Sequence, residues 1–157
     1  MKLEMWVIGK TNARYLEEGI ELYEKRVKKY LPFEIQVLPD IKNAGVLSAL
    51  QLKDKEGEMV ISRLKKDDFL ILLDEKGQQY TSEQLAQQLD QWLMMSVKRL
   101  VLLVGGAYGF SDEVYAKAQA KLALSKMTFS HQMVRLFLLE QLYRAMSILR
   151  NEPYHNA

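Results

Sequence analysis

Leu100-Val101-Leu102-Leu103-Val104-Gly105-Gly106-Ala107-Tyr108-Gly109 is the stretch from which the fold can be read. Five consecutive apolar residues stopped by paired glycines describe a strand covered on both faces. Ser111 then offers an N-cap, and Asp112 and Glu113 complement the positive end of a helix dipole. Strand, glycine turn and helix in succession make the unit of a parallel α/β sheet, in which ligands bind at the carboxyl ends of strands. Glycines there let a backbone approach a ligand closely and expose N–H donors. The spacing is not G-x-G-x-x-G and no Gly-Lys-Ser/Thr follows, so a dinucleotide fingerprint and a P-loop both match poorly. A plain turn is the alternative.

The same unit recurs in both directions. Upstream, Phe69 to Leu73 is a second apolar run, bounded by Asp68 and Asp74, and Thr81 with Gln84 forms a capping box that opens a helix through about Met94. Leu3 to Ile8, closed by Gly9, is a third buried strand. Tyr15, Leu16, Ile20, Leu22 and Tyr23 then recur at helical spacing to about Tyr30, and Pro32 stops that helix. Phe33, Ile35 and Val37 alternate as in a strand, and an amphipathic helix is expected from about Val46 to Leu64. Downstream, a short strand is expected around Leu122 to Leu124 and a long helix from about His131 to Leu149. Strand and helix alternate throughout, so the fold class is α/β, a mostly parallel sheet with helices on both faces. A chain of 157 residues fits one domain, 1–157.

Composition closes off several function classes. With 48% apolar and 27% charged residues the chain can build a core and is not disordered. There is no run of about 18 apolar residues and no basic, then apolar, leader, which points to a cytoplasmic protein without a membrane partner. Zero cysteines exclude disulfides, thiolate metal centres and cysteine nucleophiles. Two histidines, His131 and His155, do not furnish a His-rich metal site, so no metal is expected. The net charge is +2, but from Lys117 onward six basic side chains (Lys117, Lys121, Lys126, Arg135, Arg144, Arg150) stand against Glu140 and Glu152. A local basic excess suits a polyanion, and a solvated charged face is the plainer alternative.

The last helix carries apolar residues in nearly every direction around its axis. Such a helix needs two partners: the sheet is one, and a second copy of the chain is the expected other, giving an isologous homodimer. Burial within its own chain is the alternative. His131 and Arg135 are four apart, as are Glu140 and Arg144, so each pair shares a face; a satisfied ion pair and an exposed His are the plain reading. Leu124-Ser125-Lys126-Met127-Thr128-Phe129 forms a second loop at the sheet edge that bears Gly105. With Leu73 the two loops can form one pocket of backbone and apolar atoms, suited to an adenine nucleoside because no cluster of cations converges there. Ser125 and Thr128 also serve as ordinary turn residues, and Lys126 alone is uninformative. Pro153-Tyr154-His155 reads either as a frayed terminus or as a stacking and proton-transferring tail.

Taken in order, Met1-Lys2-Leu3 through Gly9-Lys10, Leu72 to Gly77, Val104 to Gly109, Leu124 to Phe129, His131 to Arg135, Glu140 to Ala145 and Pro153-Tyr154-His155 carry a likeness over essentially the whole chain. The chain resembles the RlmH-type ribosomal RNA methyltransferases, small members of the SPOUT (trefoil-knotted) class. That resemblance implies an S-adenosyl-L-methionine-dependent enzyme methylating N3 of a pseudouridine in 23S rRNA, a homodimer, and a C-terminal knot that sequence physics alone discounts. It implies that Leu73, Gly105 and Leu124 to Phe129 contact the cofactor. Arg144, Tyr154 and His155 would face the RNA and the target base, the last two across the dimer interface. His155 is expected to position the base and help remove its proton, Tyr154 to stack or hydrogen-bond, and Arg144 to hold a phosphate or base edge. Three positions depart from the family pattern: Tyr108 where an acid is usual, Ser130 where a proline is usual, and Asn156 where a basic residue is usual. The small basic excess implies weak affinity for free RNA and an assembled ribosome as substrate. Two other readings are a non-catalytic RNA-binding module of the same fold, which Tyr108 favours, and a nucleotide-binding α/β protein without RNA.

Overall fold

In a computed structural model, which describes residues 1–156, five strands and five α-helices alternate along the chain. They are β1 (Lys2–Ile8), α1 (Arg14–Lys28), β2 (Phe33–Leu38), α2 (Ala49–Arg63), β3 (Asp68–Gln79), α3 (Ser82–Leu93), β4 (Arg99–Val104), α4 (Asp112–Lys117), β5 (Ala120–Ala123) and α5 (His131–Leu149). The strands form one sheet in the order β2-β1-β4-β3-β5, and every strand pairing is parallel.

Alternation of side chains along each strand explains the two layers of helices. Leu3, Met5 and Val7 of β1, Ile71 of β3 and Leu100, Leu102 and Val104 of β4 pack with α1, α3 and α5. Their neighbours Trp6, Ile8, Leu70, Leu72, Val101 and Leu103 pack on the other face with α2 and α4. Continuous apolar runs in β1, the first half of β3 and β4 follow, since both faces of these segments are covered, whereas edge strand β2 alternates and leaves Val37 exposed. Ser48 and Thr81 form capping boxes with Gln51 and Gln84, while Ser111 and Ser130 cap α4 and α5. Because Ser48 is the cap, α2 begins at Ala49 and not at Val46, which belongs to a short 3-10 turn, Ala44–Val46.

Three further expectations change. The last strand covers Ala120–Ala123, so Leu124 already lies in the loop. The third strand does not end at Leu73 but continues to Gln79 across a register shift: Leu122 pairs with both Leu73 and Gln78, and residues 74–77 arch out between them. The arch returns so closely that a Cβ on Gly77 would lie 2.7 Å from the carbonyl carbon of Lys121 and 2.8 Å from the nitrogen of Leu122. Finally, α5 is covered by α1 and α3 and rests on the sheet, so its own chain meets much of its apolar surface, burying Leu138, Leu139, Leu142, Ala145 and Met146. Phe137 is the large apolar side chain that α5 leaves exposed. The all-round apolar pattern is thus satisfied by a three-helix layer and does not itself demand a second copy. Among the described residues no helix is long and apolar enough to cross a membrane.

Gly77→Ala forces backbone against backbone at the arch. It is expected to destabilise the protein by about 1–3 kcal/mol in urea unfolding. Gly45→Ala, where a Cβ would meet nothing within 4 Å, should shift stability by less than about 0.5 kcal/mol.

Candidate functional site

Parallel register brings the carboxyl ends of three strands to one place. Leu73 pairs with Val104 on one side and with Leu122 on the other, so the loops after β3, β4 and β5 open side by side. Between them lies a cavity of about 510 Å³. Leu73, Val104, Phe110, Leu122 and Leu124 give it apolar walls, the Gly105–Gly109 segment gives it backbone, and Asp74, Glu75 and Asp112 give it acids. Of the residues expected to contact a cofactor, Leu73, Gly105, Leu124, Ser125, Met127, Thr128 and Phe129 line this cavity. Lys126 does not; it is exposed.

Local chemistry shapes each loop. Gly109 adopts a positive φ of 83° that few other residues tolerate, and its N–H reaches the Gly106 carbonyl at 3.2 Å, closing the turn. A Cβ on Gly105 would lie 2.9 Å from the Phe110 ring, and one on Gly106 would lie 2.7 Å from the Glu56 carboxylate. Ser125 accepts the Met127 N–H at 3.0 Å, and the Thr128 hydroxyl donates to Glu75, tying the third loop to the first. Asp74 accepts the Lys76 N–H at 3.0 Å and the Tyr115 hydroxyl at 2.6 Å. Burial, reinforced by that carboxylate, pushes the Tyr115 hydroxyl up to about 12, so it stays a donor at neutral pH.

The first turns of α5 close the chamber. Arg135 is 1% exposed and donates to the carbonyls of Ile8 at 2.8 Å and Gly9 at 2.9 Å and to the Thr11 hydroxyl at 3.2 Å. Gln132 accepts the Asn12 N–H at 3.0 Å. His131 is half-buried and lines the cavity, where burial and then the Arg135 charge lower its pKa below the usual imidazole value. The exposed His of the plain reading is therefore half-buried, and Arg135 on the same face is an interior group.

At its other end α5 stops in a Schellman motif. Asn151 takes a positive φ of 54°, Glu152 N–H bonds to Ser147 O at 2.9 Å and Asn151 N–H to Ile148 O at 3.1 Å. That turn lays the tail back onto the helices instead of letting it fray. Tyr154 meets the Tyr23 hydroxyl at 3.0 Å and donates to Glu140 at 3.1 Å, and its ring stands edge-on to Tyr143. Arg144 pairs with Glu140 at 2.5 Å, covers the Tyr154 ring and contacts His155 Nδ1 at 3.0 Å. His155 Nε2 meets Glu83 at 2.8 Å and holds that carboxyl below its usual range. Arg144, Tyr154 and His155 thus gather into one cluster, but none of them lines the cavity. Val134 also lines the cavity, and Arg144 lies ten residues further along α5, about 15 Å at 1.5 Å per residue. A smaller cavity of about 260 Å³ lies between, bounded by Phe129, Phe137 and Glu140.

Residues 1–155 match the family model described as "Predicted SPOUT methyltransferase". The chain belongs to the SPOUT methyltransferase family. It is 54% identical over 156 residues, 99% of both chains, to the "Ribosomal RNA large subunit methyltransferase H" of Parabacteroides distasonis. Identity is 53% to the protein of that name from Cytophaga hutchinsonii, covering 99% of this chain and 100% of the relative, and 48% to that from Christiangramia forsetii, covering 99% of each. Membership implies the C-terminal trefoil knot.

Sequence reasoning did not single out Glu56, Asp74, Glu75, Tyr115 or the interior role of Arg135. The acids flanking Leu73 were visible as strand boundaries, whereas Glu56 and Tyr115 sit on helices where nothing in the spacing marks them. Because His131 has a folded-state pKa below its unfolded value of about 6.5, the unfolded chain takes up this proton first. Stability from this group is present above about pH 6.5 and lost as pH falls toward the folded value. Between pH 7.5 and 5.5 the melting temperature should consequently fall further in the unaltered protein than in His131→Gln, measured by circular dichroism.

Proposed function

We propose that this chain is an S-adenosyl-L-methionine-dependent methyltransferase that acts in the cytoplasm on N3 of a pseudouridine in 23S rRNA. Residues 1–157 serve as one catalytic domain and two copies form the active unit. The observation that carries this reading is a chamber of three loop ends, apolar-walled and acid-rimmed, in a SPOUT chain whose full-length relatives are named for large-subunit rRNA.

The residues present suit the cofactor. Leu73, Val104, Leu122 and Leu124 offer an apolar slot for an adenosine, the glycine segment lets backbone donors approach it, and Asp74, Glu75 and Asp112 complement positive charge. When bound, S-adenosyl-L-methionine supplies an activated methyl group on a sulfonium, so the chain must bind, orient, exclude water and move one proton. Leu73, Gly105, Leu124, Ser125, Met127, Thr128 and Phe129 hold the cofactor, and exposed Lys126 is left for phosphate. His155 takes the proton from N3, Tyr154 stacks on or hydrogen-bonds the base, and Arg144 holds a phosphate or base edge, exchanging Glu140 for the RNA. Within one chain none of these three groups lines the chamber, which supports their action on a partner's chamber. Exposed Tyr108, Met127, Phe129 and Phe137, around the two cavities, form the apolar rim on which a second copy can seat. The cations of the C-terminal third are mostly engaged within the protein, in keeping with weak affinity for naked RNA and an assembled ribosomal substrate.

Mass spectrometry of 23S rRNA from cells lacking the chain should show one unmethylated pseudouridine, restored by purified protein acting on ribosomes and poorly on naked transcript. His155→Ala should slow methylation by about 100-fold or more; a normal rate would remove His155 from the mechanism. Mixing His155→Ala with Gly105→Trp, each strongly impaired alone, should restore activity if the tail serves the partner's chamber, and no restoration would place it in its own chain.

A further inference from the structure

Two carboxylates lie in the interior, and they differ in one respect. Glu4, 3% exposed, accepts the Trp6 indole N–H at 2.9 Å and lies 3.6 Å from Arg99 and 3.7 Å from Lys2. Glu56, on α2, is 8% exposed, and its fully enclosed Oε1 has no hydrogen-bond partner among the described residues. A Cβ on Gly106 would lie 2.7 and 2.8 Å from its two oxygens, so the carboxylate occupies the space that a side chain there would take. Gly106 also lines the large cavity. A bare peptide backbone is therefore what separates an unpaired interior carboxylate from the chamber.

No neighbouring element supplies the missing counter-charge. Asp40, which follows β2 and packs against Gly9, has the same sign and adds to burial in raising the Glu56 carboxyl above its usual range. Lys53, one turn earlier on α2, lines the chamber and makes no ion pair with Glu56 among the described residues. On α5, Arg135 is committed to Ile8, Gly9 and Thr11, and His131 is held toward its neutral form. From α4, Ser111 contributes a neutral hydroxyl, packed against Gly57. An interior charge left in this state weakens the fold unless something outside the chain pairs with it.

We propose that Glu56 is a positioning residue for the positive charge of the cofactor, its carboxylate acting through the side-chain-free backbone of Gly106 to favour a cation in the chamber over an otherwise identical neutral ligand. This rests on the reading that the chamber takes S-adenosyl-L-methionine. The sulfonium of that molecule is a charge that S-adenosylhomocysteine lacks, so the pair isolates the effect. Across one backbone thickness, about 6 Å, a unit charge pair at an effective dielectric near 20 changes affinity by up to about 100-fold, and screening reduces this to about 10-fold. Protonation of Glu56 removes the effect, so the preference for the cation falls as pH drops.

Full-length protein, Glu56→Gln and Glu56→Asp are titrated calorimetrically with both ligands at pH 8 and pH 6, and the ligand-free proteins are melted. Relative to the unaltered protein, Glu56→Gln should lower the ratio of sulfonium to thioether affinity about 10-fold at pH 8 and leave thioether binding within about 3-fold. Glu56→Asp should retain most of the ratio, and the ratio in the unaltered protein should shrink at pH 6. The melting temperature of ligand-free Glu56→Gln should equal or exceed that of the unaltered protein, because an unpaired interior charge is gone. An unchanged ratio in Glu56→Gln, or equal weakening of both ligands with a lower melting temperature, overturns the proposal. If the unaltered protein binds neither ligand, the cofactor reading itself fails and the role of Glu56 falls with it.

Discussion

The guanidinium of Arg135 holds the molecule's working parts in register. It lies inside the protein at the end of β1, where the chain turns away through Gly9 at a positive φ of 77°. The carbonyls of Ile8 and Gly9 face the interior there and need donors, because a buried unpaired carbonyl is costly. Arg135 supplies them from the second turn of α5, and Asp40 nearby offsets part of its charge. Since β5 stands at the far edge of the sheet from β2, the segment between β5 and α5 must cross the strand ends to reach this anchor. That crossing is what makes residues 124–130 a wall of the chamber. Without the anchor α5 would have no fixed starting point, and the third loop would have nowhere definite to go.

One helix therefore serves two sites. Its first turns present His131 to the chamber, and its last turns and tail assemble Arg144, Tyr154 and His155 on Glu140, Tyr23 and Glu83. The basic excess of the C-terminal third has a different meaning once folded. Arg135 is internal, Arg144 is paired with Glu140, and Arg150 lies over the Tyr30 ring. Charges counted along a chain say little about the field outside it when guanidiniums are spent on carbonyls, carboxylates and aromatic faces.

What could be read in advance follows from the range of the interactions involved. Strand type, helix caps at Thr81 and Ser111, and the convergence of Leu73, Gly105 and most of the loop after β5 are set by local pattern and parallel register, and they were legible. The arch after Leu73 was not, because its cause is a backbone approach between Gly77 and residues 121–122 that leaves no periodic trace. The cover that α1 and α3 give α5 was not legible, because an all-round apolar helix says that it needs partners without saying which. Glu56 escaped notice for a related reason. An acid in an amphipathic helix reads as solvated, and its burial arises when the helix docks on a loop fifty residues away, where Gly106 has no side chain to keep it out.

The span of the Arg135 anchor bears on how the molecule acquires its fold. Its bond to Gly9 joins residues 126 apart in sequence, and loop-closure entropy is paid before such a contact yields anything. A nascent polypeptide can pair β1 with β2 early, yet the oxygens of Ile8 and Gly9 stay without this donor until nearly the whole chain has left the ribosomal tunnel. The wall of the chamber that α5 anchors therefore depends on a residue among the last to be synthesised.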